Sequence, residues 1–150
     1  MISNNIKAVL EILKDEVNGD TARALEKMCS DYTMTWMYQG KNNLFPSKKV
    51  SKKKDLNEVY SITGRQYEII NIAEGKNIVF VELIESYPDP ESRQIYKTPL
   101  ILVLEMKGGM IRTGRHYCDP RVSSLGLTEQ KIHNAYKSGI KSKVISQKRK

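Results

Sequence analysis

Cysteine is scarce in this chain of 150 residues, with only Cys29 and Cys118. Two cysteines make no disulfide framework and cannot fill a four-ligand zinc site. Histidine is as rare, and His116 and His133 alone argue against a histidine-built metal centre. Long apolar runs are missing as well. The best, Ile78–Ile84 and Leu100–Leu104, fall short of the roughly 20 residues a membrane helix needs, and Glu82 interrupts the first. Asn4, Asn5, Lys7 and Glu11 break up the first thirteen residues, so no signal-peptide core is expected there. Acidic residues are absent from 131–150, a stretch that holds seven lysines and arginines.

That last absence changes the meaning of the formal charge of +8. Residues 1–130 carry 18 basic and 17 acidic side chains and are nearly neutral. The excess lies in a terminal run, which reads as a solvated tail. Only Tyr136 could stack on a base there, so nucleic acid or another acidic partner is expected through the tail alone. A second basic cluster, Lys48, Lys49, Lys52, Lys53 and Lys54, lies inside the neutral body.

What is present is a helix-to-strand progression typical of one domain of this length. Ile2, Ile6, Val9, Leu10, Leu13 and Val17 form an apolar stripe at helical spacing, with Gly19 to end it and Asp20 to cap a second helix over Thr21–Cys29. Tyr32–Tyr38 is β-branched and aromatic, and reads as a strand with Tyr32, Met34, Trp36 and Tyr38 on one face. After a loop with Gly40, Asn42, Asn43 and Pro46, Ser51 opens a third helix carrying Leu56, Val59, Tyr60 and Thr63 on one side. Two hairpins follow. Tyr67–Glu74 turns at Gly75-Lys76 into Asn77–Tyr87, and Ile95–Met106 turns at Gly108-Gly109 into Met110–Cys118. Thr128–Tyr136 reads as a short last helix. Helices first and antiparallel strands afterwards predict an α+β domain, a curved cone-shaped antiparallel sheet with the N-terminal helices packed on its concave face.

The order of elements resembles the nuclear transport factor 2-like superfamily, whose architecture is a cystatin-like roll, and its SnoaL-like branch in particular. The resemblance is strongest over Tyr96–Met106, Gly108–Ile111 and Arg115-His116-Tyr117-Cys118-Asp119-Pro120, which is similar to the family's final strand. Cys29-Ser30-Asp31-Tyr32-Thr33 resembles the approach to its first strand. It implies a domain over 1–120 and an extension, with a short helix and basic tail, over 121–150. Known activities of the family are ketosteroid isomerisation, polyketide cyclisation, scytalone dehydration and limonene epoxide hydrolysis, all performed inside the cone; other members only bind. The isomerase base falls at Trp36, which accepts no proton, and the isomerase oxyanion donor near Met106. The hydrolase's catalytic aspartate falls at His116, and its Arg-x-Asp pair has no counterpart in Ile78–Glu82.

His116 therefore stands out as a possible proton carrier, with Glu82 the obvious carboxylate partner on a strand; Glu85, of opposite parity, is expected at the surface. Tyr32, Trp36, Tyr38, Tyr96, Leu102, Met106 and Arg112 are expected to line a pocket for a small hydrophobic molecule, Arg112 because strand parity groups it with Gly114, His116 and Cys118. Arg115 and Tyr117 are expected on the outer face, where relatives form dimers. No cofactor is expected, and a cytoplasmic homodimer is. Three functions compete: ligand binding in the cone; an isomerase, dehydratase or cyclase using His116 and Glu82 on a cyclic carbonyl compound; and a dimeric interaction module with a basic tail.

Overall fold

Ser3 opens the first helix: its Oγ accepts a hydrogen bond from the Ile6 amide, and α1 runs over Asn4–Val17. The structure, a computed structural model, describes residues 2–51, 53–136 and 143–146. The stripe on α1 turns inward at Val9, Leu13 and Val17, joined by Ile12, so about one face of the helix is buried. Gly19 adopts a positive φ of 75° that a Cβ would disfavour, and Asp20 then accepts from the Arg23 amide to start α2, Thr21–Glu26. The second helix ends earlier than its sequence suggests. Met28 is already paired with Ile111, and the Ile111 amide donates to the Lys27 carbonyl, so the sheet captures the chain before another helical turn can form.

Strand β1 (Met28–Trp36) is followed by a one-turn 3-10 segment and by β2 (Lys48–Val50), a short edge strand inside the stretch expected to be loop. Helix α3 (Lys53–Tyr60) buries Leu56 completely. The two hairpins form as expected: β3 (Gln66–Gly75) with β4 (Ile78–Pro88), and β5 (Ile95–Lys107) with β6 (Met110–Cys118). Gly108 and Gly109 both hold positive φ at the second turn, 58° and 78°, which is why that dipeptide reverses the chain. Two short helices, α4 (Pro120–Ser123) and α5 (Glu129–Ala135), and an edge strand β7 (Lys143–Ile145) complete the described chain.

The strands make one seven-stranded sheet in the order β2-β1-β6-β5-β4-β3-β7. Among the described residues only β1 and β6 run parallel; every other pair is antiparallel. Register places residues in rows that share a face. On the concave side Met34, Gly114, Leu104 and Val79 form one row, and Trp36, His116, Leu102 and Val81 the next. A third row joins Cys118, Leu100, Leu83 and Ile69. Helix α1 closes over these rows to make the core. Fully burying one such aliphatic side chain contributes about 1.5–3 kcal/mol.

The convex side is different. Helix α5 covers part of it, with Ile132 packed on Ile70 and Ile84, held by His133 Nε2 to Glu68 at 2.9 Å and Lys97 Nζ to Glu129 at 2.6 Å. Beyond that patch Phe80, Ile101 and Tyr117 are exposed. Five of the seven basic residues of 131–150 lie outside the described residues, as do Lys52 and the side chains of Lys53 and Lys54.

Candidate functional site

The mouth of the cone is left unfilled. A cavity of about 230 Å³ lies between α1, α3 and the concave rows. Its floor is apolar: Val9, Ile12, Leu13, Leu100, Leu102 and Leu104. Tyr32, Met34, Trp36 and Tyr38 enter it from β1 and the residues just after, on the one face that alternation predicts. Of the residues expected in the pocket, Tyr32, Trp36, Tyr38, Leu102 and His116 line it.

His116 is 9% exposed and lies beside two aromatic rings, with centroids 6.0 Å from Tyr38 and 6.2 Å from Trp36. Burial, reinforced by the positive charge of Arg65, lowers its pKa to about 4, so the imidazole is neutral at pH 7. Its Nδ1 is buried without a hydrogen-bond partner. An orphaned lone pair costs less than an orphaned N–H, so the proton belongs on Nε2. His116 is thereby arranged to donate a hydrogen bond rather than to abstract a proton. Cys118 also lines the cavity, but burial, followed by the charges of Glu85 and Asp119, pushes its thiol up to about 11. It is no thiolate nucleophile at neutral pH.

The structure separates His116 from Glu82. Register carries His116 through Leu102 to Val81, whereas Glu82 aligns with Ile101 and Tyr117 on the convex face. There Asn71 Nδ2 donates to its Oε2 at 2.6 Å. The expected acid/base pair therefore does not exist. A second correction concerns Arg112. The ladder slips between Glu105 and Met106, which pair with Thr113 and Ile111, so Arg112 is the extra residue of a β-bulge. The bulge inverts parity at that point, turning Ile111 into the cavity and Arg112 outward to Asp31, Nε to Oδ2 at 3.2 Å. Met106 is buried in the core and does not reach the cavity lining. Tyr96 stays outside too, against the ring of Tyr87, which does line the cavity, at 5.8 Å.

One end of the cavity is polar, built from residues that sequence reasoning missed. Arg65, 4% exposed, donates through Nη1 to Tyr67 Oη at 3.1 Å and through Nη2 to the Val59 carbonyl at 2.6 Å. Tyr67 Oη donates onward to Glu16 Oε2 at 3.0 Å. Glu85, assigned to the surface by its sequence, lines the same end, with Oε1 3.5 Å from Arg65 Nε. Burial raises its carboxyl pKa, and the nearby Arg65 charge only partly opposes this. Signals did exist. Glu16 lies four residues beyond Ile12 on the inward stripe of α1, and Val79, Val81 and Leu83 lead in strict alternation to Glu85 and Tyr87.

No family profile matches the chain, and no characterised protein matches it by sequence. Solved structures do match in shape. An LEH-like epoxide hydrolase from Mycobacterium tuberculosis aligns with 90% of this chain and 97% of its own, at 16% identity and a TM-score of 0.65. A nuclear transport factor 2-like protein of unknown function from Cytophaga hutchinsonii covers 81% of this chain and 94% of its own, at 14% identity and a TM-score of 0.63. The chain has the nuclear transport factor 2-like fold. A SnoaL-like protein from Jannaschia sp. CCS1, provisionally assigned as a polyketide cyclase, also matches, with 84% and 92% coverage, 13% identity and a TM-score of 0.65. At such identities the chain shares its shape with these proteins, and its own cavity residues have to carry the chemistry.

Proposed function

We propose that the cone binds a small, largely apolar molecule, about the size of one substituted ring, without turning it over. The cavity itself carries this reading. An apolar cavity of roughly 150 Å³ admits benzene, and drug-sized pockets begin near 300 Å³. At about 230 Å³ this one suits a monocyclic ligand better than a fused polycycle. Aromatic walls from Tyr32, Trp36 and Tyr38 supply apolar contact, and a neutral His116 supplies one donor for an acceptor atom of the ligand.

A thermal-shift series tests it. A one-ring ligand at 100 times its Kd adds about 2.7 kcal/mol, a rise of several degrees, and Leu102→Trp should abolish that rise by filling the cavity. If no monocyclic compound moves the transition, or if Leu102→Trp leaves the shift intact, the reading is wrong.

The exposed Phe80, Ile101 and Tyr117 support a homodimer through the convex face in this proposal. Sedimentation of Ile101→Asp should then show a lighter species than the wild type, and an unchanged mass would remove the dimer. Residues 1–120 are taken as the ligand-binding domain, and 121–150 as an extension whose basic tail could recruit an acidic partner. A cytoplasmic location fits Cys29 and Cys118, both free thiols.

A further inference from the structure

We infer that the ligand carries a protonated amine, received by Glu85 at the polar end of the cone. This rests on the cone being a ligand site, and adds the chemical class of what it takes. Glu85 Oε1 lies near Arg65 Nε at 3.5 Å, but no described residue donates a hydrogen bond to either of its oxygens. Arg65 cannot turn to satisfy it: Nη1 and Nη2 are already committed to Tyr67 and Val59, and Nε is itself buried without a hydrogen bond. The side chain is 16% exposed, so the carboxylate opens into the cavity, where a donor on the ligand can reach the acceptor capacity the protein leaves unused.

Charge points the same way. Among the described residues lining the cavity, Glu16 and Glu85 face a single guanidinium, Arg65. Arg65 divides its donors among Glu85, Tyr67 and the Val59 carbonyl, and an ammonium group would give the Glu85 carboxylate a cationic partner of its own. Aromatic rings line the same cavity. Tyr38 and Tyr87 are among them, together with Glu85. Their π faces can take over part of the hydration that a cation sheds on entry. An anionic ligand would instead have to settle beside two carboxyls, with the guanidinium already engaged. A ligand with an amine on a single ring can meet both conditions, its ring against the aliphatic floor and its nitrogen at Glu85.

The experiment is calorimetric titration of the full chain with four probes on one ring: benzylamine, benzyl alcohol, toluene and benzoate. Benzylamine is expected to bind at least about tenfold more tightly than benzyl alcohol, with benzoate weakest. Glu85→Gln should bring benzylamine to within about threefold of benzyl alcohol while leaving toluene unchanged, which shows that the variant is folded and its cone intact. Glu82→Gln, on the other face, should preserve the preference. If the neutral probes bind but benzylamine has no advantage, or if Glu85→Gln keeps that advantage, the amine assignment is overturned and the cone remains a ligand site. If none of the four binds, both fall together.

Discussion

Glu82 and Glu85 lie three residues apart in one strand and meet opposite environments. Glu82 faces outward, beside exposed Ile101 and Tyr117, and has Asn71 as a donor. Glu85 faces the cone with a side chain 16% exposed and no donor but a misdirected guanidinium. The first is an ordinary surface carboxylate, satisfied and screened. The second is held in a place where its charge is expensive, and a folded protein keeps such a group only where something offsets the expense. The sheet that divides them is a single layer thick, so the same backbone serves a packed, selective interior and an open surface.

The largest effect that can break this comparison is packing. Leu83→Ala on the inner face should cost about 2–5 kcal/mol, whereas Ile101→Ala on the outer face should cost under about 1 kcal/mol. Urea unfolding at low protein concentration compares them, and equal losses would mean that the two faces are not different in kind. Next comes acid sensitivity. The folded pKa of His116 is depressed from 6.5 to about 4, so the unfolded chain takes up its proton first as pH falls. Stability due to neutral His116 is present above pH 6.5 and is lost down to pH 4, amounting to about 3 kcal/mol. His116→Phe should flatten that part of the stability profile, and outward-facing Tyr117→Phe should not.

A smaller effect is expected at the two glutamates. The carboxyl of Glu85 is raised, so its contribution to stability is present at low pH and lost as pH rises through its folded pKa. Glu85→Gln should therefore stabilise the empty protein at pH 8 and have no such effect at pH 3. Glu82→Gln should stay within about 0.5 kcal/mol at both. Saturating benzylamine should reverse the first result at pH 8, making the wild type the more stable protein. Least of all is expected of Arg112→Ala. The pair it makes with Asp31 is exposed, so stability should change by under about 1 kcal/mol and probe affinity by nothing measurable. A clear loss of affinity would place Arg112 back at the cavity.

Much of the fold was legible because local chemistry repeats at the right period. The α1 stripe, the Asp20 cap, the Gly108-Gly109 turn and the alternation through Tyr32, Met34, Trp36 and Tyr38 all appear in the structure where their spacing puts them. The site was less legible. Period-two alternation assigns a face only if no residue is inserted, and the bulge at Arg112 breaks that condition. In β4 both alternating series are apolar, so the strand alone could not say which of Glu82 and Glu85 turns inward. Pairing with Leu102 and Thr98 decides it, fixing Val81 and Glu85 on the concave side.

By itself the sequence determined the succession of helices and strands, their caps and turns, and the aromatic face that enters the cone. These depend on neighbours within a few residues, where backbone preferences and side-chain period act directly. Only the tertiary structure decided which carboxylate faces the cone, where Arg65 and Tyr67 meet Glu16, and that His116 is neutral. Those properties depend on residues brought together from α1, β3, β4 and β6, and on the loss of water between them. Desolvation acts on a group in its folded surroundings, and no stretch of the chain carries those surroundings with it.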